Sequence, residues 1–372
     1  MQLSIVIPTY NEMETVKTTA AAIKSNLTGI DYEIVFVDDS IDDTPRILNE
    51  LSKEDHNVRY EHRTTEKGLG TAVVRGFQLA RAQVIAVMDA DLQHPPEMLK
   101  SMLQEINKGG ASVVIPSRFV PGGDDGGLKS HRKVVSAVAR YMGKLALKSL
   151  RRISDPTGGF FMFRREVIEG VKLKPIGWKI LIEVLARGNV REVSEIPYRF
   201  QPRHAGESKM SIREQWNYIK HLFSLVKDSP EDRRFYLFAA IGMSGVIINM
   251  AIYSLLVSTG LAIAISGAIS AVVTLLMNFI LNDRITWSDS HHTLWHRRAG
   301  KYIVTSLLGI CINIGVLSVM YHGLRVEYLL ANFIGILLST IWNYIINNRW
   351  TFGASAKKSP TVEVVIAGTK AT

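Results

Sequence analysis

The chain has 372 residues, of which 47% are hydrophobic and 21% charged, and its 44 lysines and arginines against 34 acidic residues give a net charge of +10. Abundant apolar residues and the single cysteine, Cys311, exclude a disordered chain, a collagen and a disulfide-stabilised scaffold. The positive charge favours phosphate ligands, anionic lipid or nucleic acid as partners. Charged residues are dense up to about residue 235 and sparse beyond it, which predicts two units of different character.

Strands and helices alternate in the first part of the chain. Short apolar runs predict strands at residues 3–7, 33–37, 58–62, 84–88, 112–115 and around 160–163. The segments between them predict helices at residues 12–27, 45–53, 70–82 and 97–108. Strands that are apolar throughout indicate a mostly parallel α/β sheet covered on both faces. In such a sheet, ligands bind beyond the carboxyl ends of the strands.

Acidic residues follow two of these predicted strands. Asp38-Asp39-Ser40 follows the second strand, and Asp89-Ala90-Asp91 follows the fourth, with the amide of Gln93 two residues further on. Oxygen ligands of this kind suit Mg²⁺ or Mn²⁺ shared with substrate phosphates, although the same residues could form a turn before the helix near Pro95. No G-x-G-x-x-G motif follows the first strand and no Walker lysine motif occurs, so those two modes of nucleotide binding are excluded.

A basic amphipathic segment lies in the middle of the chain. Between Gly126 and Ser154 there are eight lysines and arginines and no acidic residue, interleaved with apolar residues at helical spacing. This pattern predicts a helix on a membrane surface in preference to a nucleic-acid-binding helix. The glycine-rich stretch before it, residues 121–127, could be a lid over a site or an exposed linker. A second amphipathic stretch precedes the apolar part of the chain.

Four apolar runs, residues 237–258, 261–281, 302–322 and 328–346, contain no Asp, Glu, Lys or Arg. Each is long enough to cross a hydrocarbon core of about 30 Å, which takes about 20 helical residues. Lysines and arginines precede the first run, separate the second from the third and follow the fourth. The positive-inside rule therefore predicts that both termini and the middle loop are cytoplasmic.

The apolar part of the chain contains an internal repeat. Asn282-Asp283-Arg284 recurs 65 residues later as Asn347-Asn348-Arg349, and a Gly-x-x-x-Asn pattern begins at both Gly245 and Gly309. Two similar hairpins that enter the membrane from the same side form a parallel repeat. Their polar residues could pack helices together and anchor them at the interface, or they could line a path for a substrate.

The motifs of residues 1–210 resemble those of the GT-A-fold glycosyltransferases of the large inverting family 2, and among them the dolichol-phosphate mannose synthases. The matching segments are Val6-Ile7-Pro8-Thr9-Tyr10-Asn11-Glu12, Val37-Asp38-Asp39-Ser40, Gly68-Leu69-Gly70, Asp89-Ala90-Asp91-Leu92-Gln93-His94-Pro95, Ser117-Arg118, Asp155-Pro156-Thr157-Gly158-Gly159-Phe160 and Arg203-His204-Ala205-Gly206-Glu207-Ser208-Lys209. Gly158-Gly159-Phe160 departs from the Ser-Gly-Phe or Gly-Ser-Phe of many members. Residues 235–352 resemble the four-helix GtrA-type membrane domains.

The resemblance implies a fold class and a domain organisation. Residues 1–210 would form an α/β GT-A catalytic domain, Rossmann-like with a mostly parallel sheet, and residues 211–234 an interfacial amphipathic linker. Residues 235–352 would form an all-α, four-helix transmembrane domain of two repeated hairpins, and residues 353–372 a flexible C-terminal tail.

The resemblance also implies roles for individual residues. Asp91 and Gln93 would hold Mn²⁺ or Mg²⁺, and Asp155 could orient the sugar or act as a base. Lys179 and Lys209 could also be solvated surface charges. The residues expected to bind the donor nucleotide sugar are Pro8, Tyr10, Glu12, Val37, Asp39, Asp89, Ala90, Asp91, Gln93, Lys179, Arg203 and Lys209. Our candidates for the acceptor phosphate are Ser117, Arg118, Arg132 and Ser136, and those for catalysis are Asp89, Asp91, Gln93 and Asp155.

The activity implied is inverting transfer of mannose from GDP-mannose to dolichyl or another polyprenyl phosphate at the cytoplasmic membrane face. Membrane lipid would be a further partner, nucleic acid would not, and a homo-oligomer could form through the transmembrane helices. One alternative is a UDP-glucose:polyprenyl-phosphate glucosyltransferase. The other is a translocase of lipid-linked sugars, although apolar runs without charged residues argue against a polar conduit.

Overall fold

The computed structural model describes residues 1–127, 130–201, 212–290, 293–353 and 362–367, with only the backbone described at residues 130–132 and 212. Contacts divide the chain into two compact units. The first contains Met1–Val226 together with the described C-terminal residues 362–367, and the second is Lys227–Ser359.

The first unit is built on a mostly parallel sheet of eight strands in the order β3-β2-β1-β4-β6-β5-β7-β8, in which only β6 runs antiparallel to its neighbours. Ile5 and Ile7 pack into one hydrophobic core and Val6 into another, so both faces of the sheet are covered. The predicted α/β class is thereby confirmed. The strands are β1 (Leu3–Thr9), β2 (Tyr32–Asp38), β3 (Val58–His62), β4 (Val84–Val87), β5 (Val113–Ser117), β6 (Phe161–Arg164), β7 (Glu192–Pro197) and β8 (Glu363–Ile366).

Seven α-helices are described in this unit, of which the fifth corresponds to the predicted basic helix and the seventh to the second predicted amphipathic stretch. They are α1 (Val16–Asn26), α2 (Thr44–Glu54), α3 (Leu69–Leu79), α4 (Met98–Asn107), α5 (Ser130–Ala146), α6 (Ile180–Arg187) and α7 (Ile212–Asp228).

The strands β7 and β8 and the helix α6 were not predicted from the sequence. The strand β7 contains the buried polar residues Ser194 and Glu195, so its sequence lacks an apolar run. The prediction of a flexible tail is wrong for β8, which pairs in parallel with β7 and packs Val362 and Val364 against the core. An apolar segment that pairs with an open strand edge satisfies the backbone groups of both strands, which gives this part of the tail a defined position.

The second unit consists of four helices that are long and apolar enough to cross a membrane, at the positions of the four predicted spans. A π-helical segment extends three of them, at Asn282–Thr286, Val319–Gly323 and Asn347–Thr351. The helices are α8 (Pro230–Ser258), α9 (Ile263–Leu281), α10 (Trp295–Ser318) and α11 (Tyr328–Ile346).

The sequence repeat corresponds to a repeated helix contact. A methyl group added at Gly245 on α8 would lie 2.6 Å from the amide nitrogen of Asn278 on α9, and one added at Gly309 on α10 would lie 2.5 Å from that of Asn343 on α11. Glycine therefore allows the two helices of each hairpin to approach closely, as small residues do in membrane bundles.

Equivalent residues of the two repeats also meet each other. Trp287 and Phe352, which occupy the same place in the repeat, stack with ring centroids 4.3 Å apart and an interplanar angle of 6°. Arg298 donates two hydrogen bonds to Asp283, at 2.7 and 3.0 Å, and both side chains are buried. These contacts join the two hairpins of the second unit to each other.

We predict that Gly309→Val destabilises the second unit, because the new side chain must displace the Asn343 amide. Gly315→Val on the same helix is the matched control, since no atom lies within 4 Å of the added group there. Overpacking of this kind costs about 1–3 kcal/mol. Thermal unfolding in detergent should show a lower midpoint for Gly309→Val than for Gly315→Val, and equal midpoints would contradict the packing role of Gly309.

Candidate active site

The carboxyl ends of the first three strands are joined by a buried carboxylate, Asp38, at the end of β2. Its Oδ1 accepts hydrogen bonds from the hydroxyls of Thr9, at 2.8 Å, and Ser40, at 2.5 Å. His62 Nδ1, at the end of β3, lies 2.7 Å from Asp38 Oδ2. One carboxylate therefore links the ends of β1, β2 and β3, and its role is structural.

The neighbouring Asp39 is held by an arginine that we did not predict. Arg63, which directly follows β3, donates from Nε and Nη2 to the two oxygens of Asp39, at 2.8 and 2.6 Å, and both side chains are buried. The backbone N–H of Gly68 donates to Asp39 Oδ2 at 2.7 Å, and the Gly68 carbonyl accepts from Arg63. Gly68 has φ +136°, a conformation that favours glycine. Asp39 and Arg63 thus hold the Gly68 loop in place.

The segment after β1 is tied to the loop after β2. Asn11 has φ +54°, its N–H donates to the Ser40 hydroxyl at 2.7 Å, and its side-chain oxygen accepts from the N–H of Ile41 at 3.0 Å. Tyr10, next to Asn11 in the chain, is 42% exposed.

The remaining predicted donor residues at these strand ends differ in accessibility. Pro8 is buried in β1, and the N–H of Glu12 donates to the Thr44 hydroxyl at 3.0 Å. Val37 is buried against Ala72, so its side chain belongs to the core. Of this group, Tyr10 presents the most exposed side chain.

The segment after β4 contains the predicted metal ligands. Asp91 is buried, and its Oδ1 accepts from the N–H of Gln93 at 3.1 Å. Between them, Leu92 has φ +57°, which is strained for a leucine and is a feature that concentrates at functional sites. Gln93 Nε2 donates a hydrogen bond to the carbonyl of Gln201 at 3.4 Å, so the side-chain oxygen of Gln93 points away from that carbonyl. Ala90 is buried, and its carbonyl oxygen accepts a hydrogen bond from the Thr19 hydroxyl.

These donors fit a hard divalent cation whose coordination is completed by a ligand. Within the described residues, no group of three or more His, Cys, Asp and Glu side chains could hold a metal by itself. The carboxylate of Asp91 and the amide oxygen of Gln93 are the oxygen ligands that Mg²⁺ and Mn²⁺ prefer, and such ions commonly share their coordination with substrate phosphates.

The Gly158-Gly159 departure leaves room for Asp89, whose side chain is 39% exposed. A methyl group added at Gly159 would lie 3.1 Å from Asp89 Oδ2 and 3.6 Å from His94 Nε2, whereas at Gly158 the nearest atom would be 3.8 Å away. A side chain at 159 would therefore crowd Asp89, and one at 158 would not. Buried His94 also lies 3.4 Å from the Tyr198 hydroxyl.

A second charged group lies after β5. Arg118 donates from Nε and Nη2 to the two oxygens of Asp155, at 2.8 and 3.1 Å, with Arg118 10% and Asp155 1% exposed. The rings of Phe119 and Phe200 lie 5.2 and 5.4 Å from the guanidinium carbon. Ser117 is buried at the end of β5. A buried, bidentate pair of this kind has a defined geometry.

Lys179, immediately before α6, lies in the field of this pair. It is half-buried, and its Nζ is 5.2 Å from the ring centroid of Tyr218. Burial lowers the pKa of Lys179 to about 8, with Asp155 raising that pKa and Arg118 lowering it further. The charges that act on Lys179 are therefore those of the group after β5.

Three predicted residues cannot be placed in the site. Arg203 and Lys209 lie outside the described residues. Arg132 is in α5, but its side chain lies outside the described part of the chain. Ser136, one turn further along α5, is half-buried.

The amphipathic helices present apolar side chains to the surroundings. On α5, Val134, Tyr141 and Leu145 are 62%, 62% and 74% exposed, and on α7 Trp216 and Phe223 are 59% and 78% exposed. The two helices contact each other, since the Tyr218 hydroxyl donates to the Ala139 carbonyl at 2.6 Å. Exposed apolar faces on amphipathic helices are typical of elements that lie at a membrane surface.

Comparison with known proteins identifies both parts of the chain. Residues 4–171 match the family described as glycosyl transferase family 2, and residues 237–352 match the GtrA/DPMS transmembrane domain. The structure is similar to that of glucosyl-3-phosphoglycerate synthase from Mycobacterium tuberculosis in complex with Mn²⁺, UDP-glucose and phosphoglyceric acid, with 17% identity and a TM-score of 0.48 over 60% of this chain and 79% of that one.

Two dolichol-phosphate mannosyltransferases have a higher sequence identity to this chain than that solved structure has. The dolichol-phosphate mannosyltransferase of Saccharomyces cerevisiae is 32% identical over 238 residues, covering 60% of this chain and 87% of that protein. The dolichol-phosphate mannosyltransferase of Pyrococcus furiosus is 39% identical over 353 residues, covering 95% of this chain and 99% of that protein. Because this match includes both units, the chain belongs to the family of dolichol-phosphate mannosyltransferases, as a membrane protein with a family 2 glycosyltransferase domain followed by a GtrA/DPMS transmembrane domain.

Proposed function

We propose that this protein transfers mannose from GDP-mannose to dolichyl phosphate or another polyprenyl phosphate, with inversion and at the cytoplasmic membrane face. The observation that carries the proposal is the position of two charged groups on one sheet edge. The strands β4 and β5 are both antiparallel to β6, which lies between them, so they are parallel to each other. The oxygen donors after β4 and the Arg118–Asp155 pair after β5 therefore share the carboxyl edge of the sheet, where one phosphate-bearing substrate could bind at each group.

The donor would bind after β1, β2 and β4. Tyr10, which is 42% exposed, would contact the nucleotide, and the Asp39–Arg63 pair fixes the Gly68 loop at the same edge of the sheet. Asp91 and Gln93 would hold Mg²⁺ or Mn²⁺, which when bound would neutralise the diphosphate as GDP departs. Asp89, half-exposed next to this position, would contact the sugar.

The acceptor phosphate would bind at Arg118, whose Nη1 is not used by Asp155. A phosphomonoester has a second pKa of about 6 and is mostly dianionic at neutral pH, so it needs little help from a general base. Both oxygens of Asp155 contact Arg118, which favours a role in orienting the guanidinium over a role as base. Attack in line on the anomeric carbon, opposite to GDP, would invert its configuration.

The lipid chain of the acceptor would lie along the amphipathic helices. The exposed apolar side chains of α5 and α7 suit an acyl or polyprenyl environment, and the lysines and arginines of α5 suit phosphate headgroups. Apart from Arg325, the Lys and Arg residues that flank the four spans lie on one side of the predicted topology, which supports a cytoplasmic active site.

The donor is tested by incubating the full-length protein with dolichyl phosphate, Mn²⁺ and either radiolabelled GDP-mannose or radiolabelled UDP-glucose. We expect labelled lipid from GDP-mannose alone. The product should be the β-anomer if the donor is α-linked, as inversion requires. Label from UDP-glucose alone would overturn the assignment of the donor in favour of the glucosyltransferase.

We predict that Asp91→Asn lowers turnover at least 100-fold, because an amide is a poorer cation ligand than a carboxylate while its shape is the same. Calorimetry should show that Mn²⁺ no longer strengthens GDP binding. Glu97→Gln, an exposed carboxylate close by in sequence, is the control and should behave as the unchanged protein. Unaltered dependence of GDP binding on Mn²⁺ in Asp91→Asn would refute the assignment of the ligand.

We predict that Arg63→Lys weakens GDP binding at least tenfold, because lysine cannot hold both oxygens of Asp39 and the Gly68 carbonyl together. Arg59→Lys is the matched control: Arg59, on β3, pairs with buried Glu33 at 2.7 Å, away from the carboxyl ends of the strands. Both variants should unfold at a lower temperature, but only Arg63→Lys should bind GDP more weakly. An equal loss of GDP affinity in both would indicate a general effect on stability.

A further inference from the structure

Glu195 is a fully buried carboxylate on β7 to which the family motifs assign no role. Its Oε2 accepts the backbone N–H of Ser154 at 2.8 Å, and its Oε1 accepts that of Asp155 at 3.0 Å. Its neighbours Val193 and Ile196 are buried apolar residues. Burial of a carboxylate is unfavourable unless donors satisfy it, and here both of its oxygens are directed at one turn of the backbone.

The turn that Glu195 holds carries the partner of Arg118. Asp155 donates its backbone N–H to Glu195 Oε1, and both of its side-chain oxygens accept hydrogen bonds from Arg118 Nε and Nη2. A continuous series of hydrogen bonds thus leads from β7 through the Ser154–Asp155 backbone to the guanidinium. A bidentate contact constrains the plane of a guanidinium, so the position of the Asp155 backbone determines where Arg118 Nη1 lies.

The strand that carries Glu195 is itself supported on its outer side. The N–H of Ala367, which follows β8, donates to the Glu195 carbonyl at 3.0 Å, and Ile366 is paired with Glu195 in the sheet. Glu195 therefore does not lie on an open edge, and its backbone is held on both sides. Rigid support of this kind is what a positioning residue requires.

We propose that Glu195 is a positioning residue for the acceptor phosphate: it fixes the Asp155 turn, and Asp155 in turn orients Arg118 toward the phosphate. This inference rests on the proposed function, in which Arg118 binds the acceptor. It concerns the acceptor alone, because the donor groups after β1, β2 and β4 make no contact with Glu195 among the hydrogen bonds described above.

The first test compares Glu195→Gln with Ser194→Ala in the full-length protein. Glutamine keeps the shape, but its amide nitrogen cannot accept the N–H that a carboxylate oxygen accepts. Ser194 is the matched control, because it is buried on the same strand and its hydroxyl donates to Glu105 at 2.8 Å, away from the turn. We expect Glu195→Gln to raise the KM for dolichyl phosphate about tenfold and to leave the KM for GDP-mannose within twofold. Ser194→Ala should lower the unfolding temperature and leave both constants unchanged.

The second test asks whether Glu195 acts through Arg118. In the Arg118→Ala background, adding Glu195→Gln should raise the KM for dolichyl phosphate by less than twofold. Multiplication of the two single effects would overturn the proposal, because it would mean that Glu195 acts independently of Arg118. If Glu195→Gln does not fold, Glu195→Asp, which keeps the charge and shortens the side chain, is used in the same two comparisons.

The outcomes separate this inference from the proposed function. Absence of mannosyl transfer by the unchanged protein would refute the proposed function. An active unchanged protein, with an acceptor KM that Glu195→Gln and Glu195→Asp leave unaltered, would refute the positioning role only. An equal rise in the KM values for donor and acceptor would also refute it, since that result would indicate a general disturbance of the site.

Discussion

Carboxylates buried at the carboxyl edge of the sheet must be satisfied by donors, and this requirement shapes the whole site. Asp39 is satisfied by Arg63, and Asp155 by Arg118, in both cases through two hydrogen bonds to one guanidinium. Each pair fixes a loop that begins where a strand ends. Because the two partners of each pair lie in different loops, the loops are held in place before any ligand binds, and this preorganisation is what a site for two anionic substrates needs.

Much of the fold could be predicted because apolar runs and their ends are local features of the sequence. The strands β1 to β6 are found close to their predicted positions for this reason. The strand β7 was missed because Ser194 and Glu195 interrupt its apolar pattern, and they are buried only because Glu105 and the Ser154 turn satisfy them. Those partners are 89 and 41 residues away in the chain, so no local pattern reveals them.

The candidate site likewise contains residues that a local sequence pattern predicts and residues that it does not predict. The Asp89-Ala90-Asp91 segment stands out in the sequence because carboxylates follow an apolar strand, and the structure places it at the expected sheet edge. Arg63 was missed because an arginine after a short, half-buried strand is common at a surface. Its partner Asp39 is 24 residues away, so the only sequence signal was that both residues follow parallel neighbouring strands. The ends of paired strands are therefore informative for basic residues as well as for acidic ones.

The two proposed phosphate sites would neutralise charge by different means, and the proposed reaction accounts for the difference. In the proposed reaction the diphosphate of the donor would leave as GDP, so a cation held there by Asp91 and Gln93 would need to exchange between turnovers. The acceptor phosphate would instead have to approach along one line, and the guanidinium of Arg118, held by Asp155, would constrain that approach better than a mobile ion. In this proposal an exchangeable metal ion would neutralise the leaving diphosphate, and the fixed guanidinium of Arg118 would neutralise the attacking phosphate. The metal ion would then need few protein ligands because its phosphate must be released. The guanidinium of Arg118 would need firm support from Asp155 because its phosphate must be oriented.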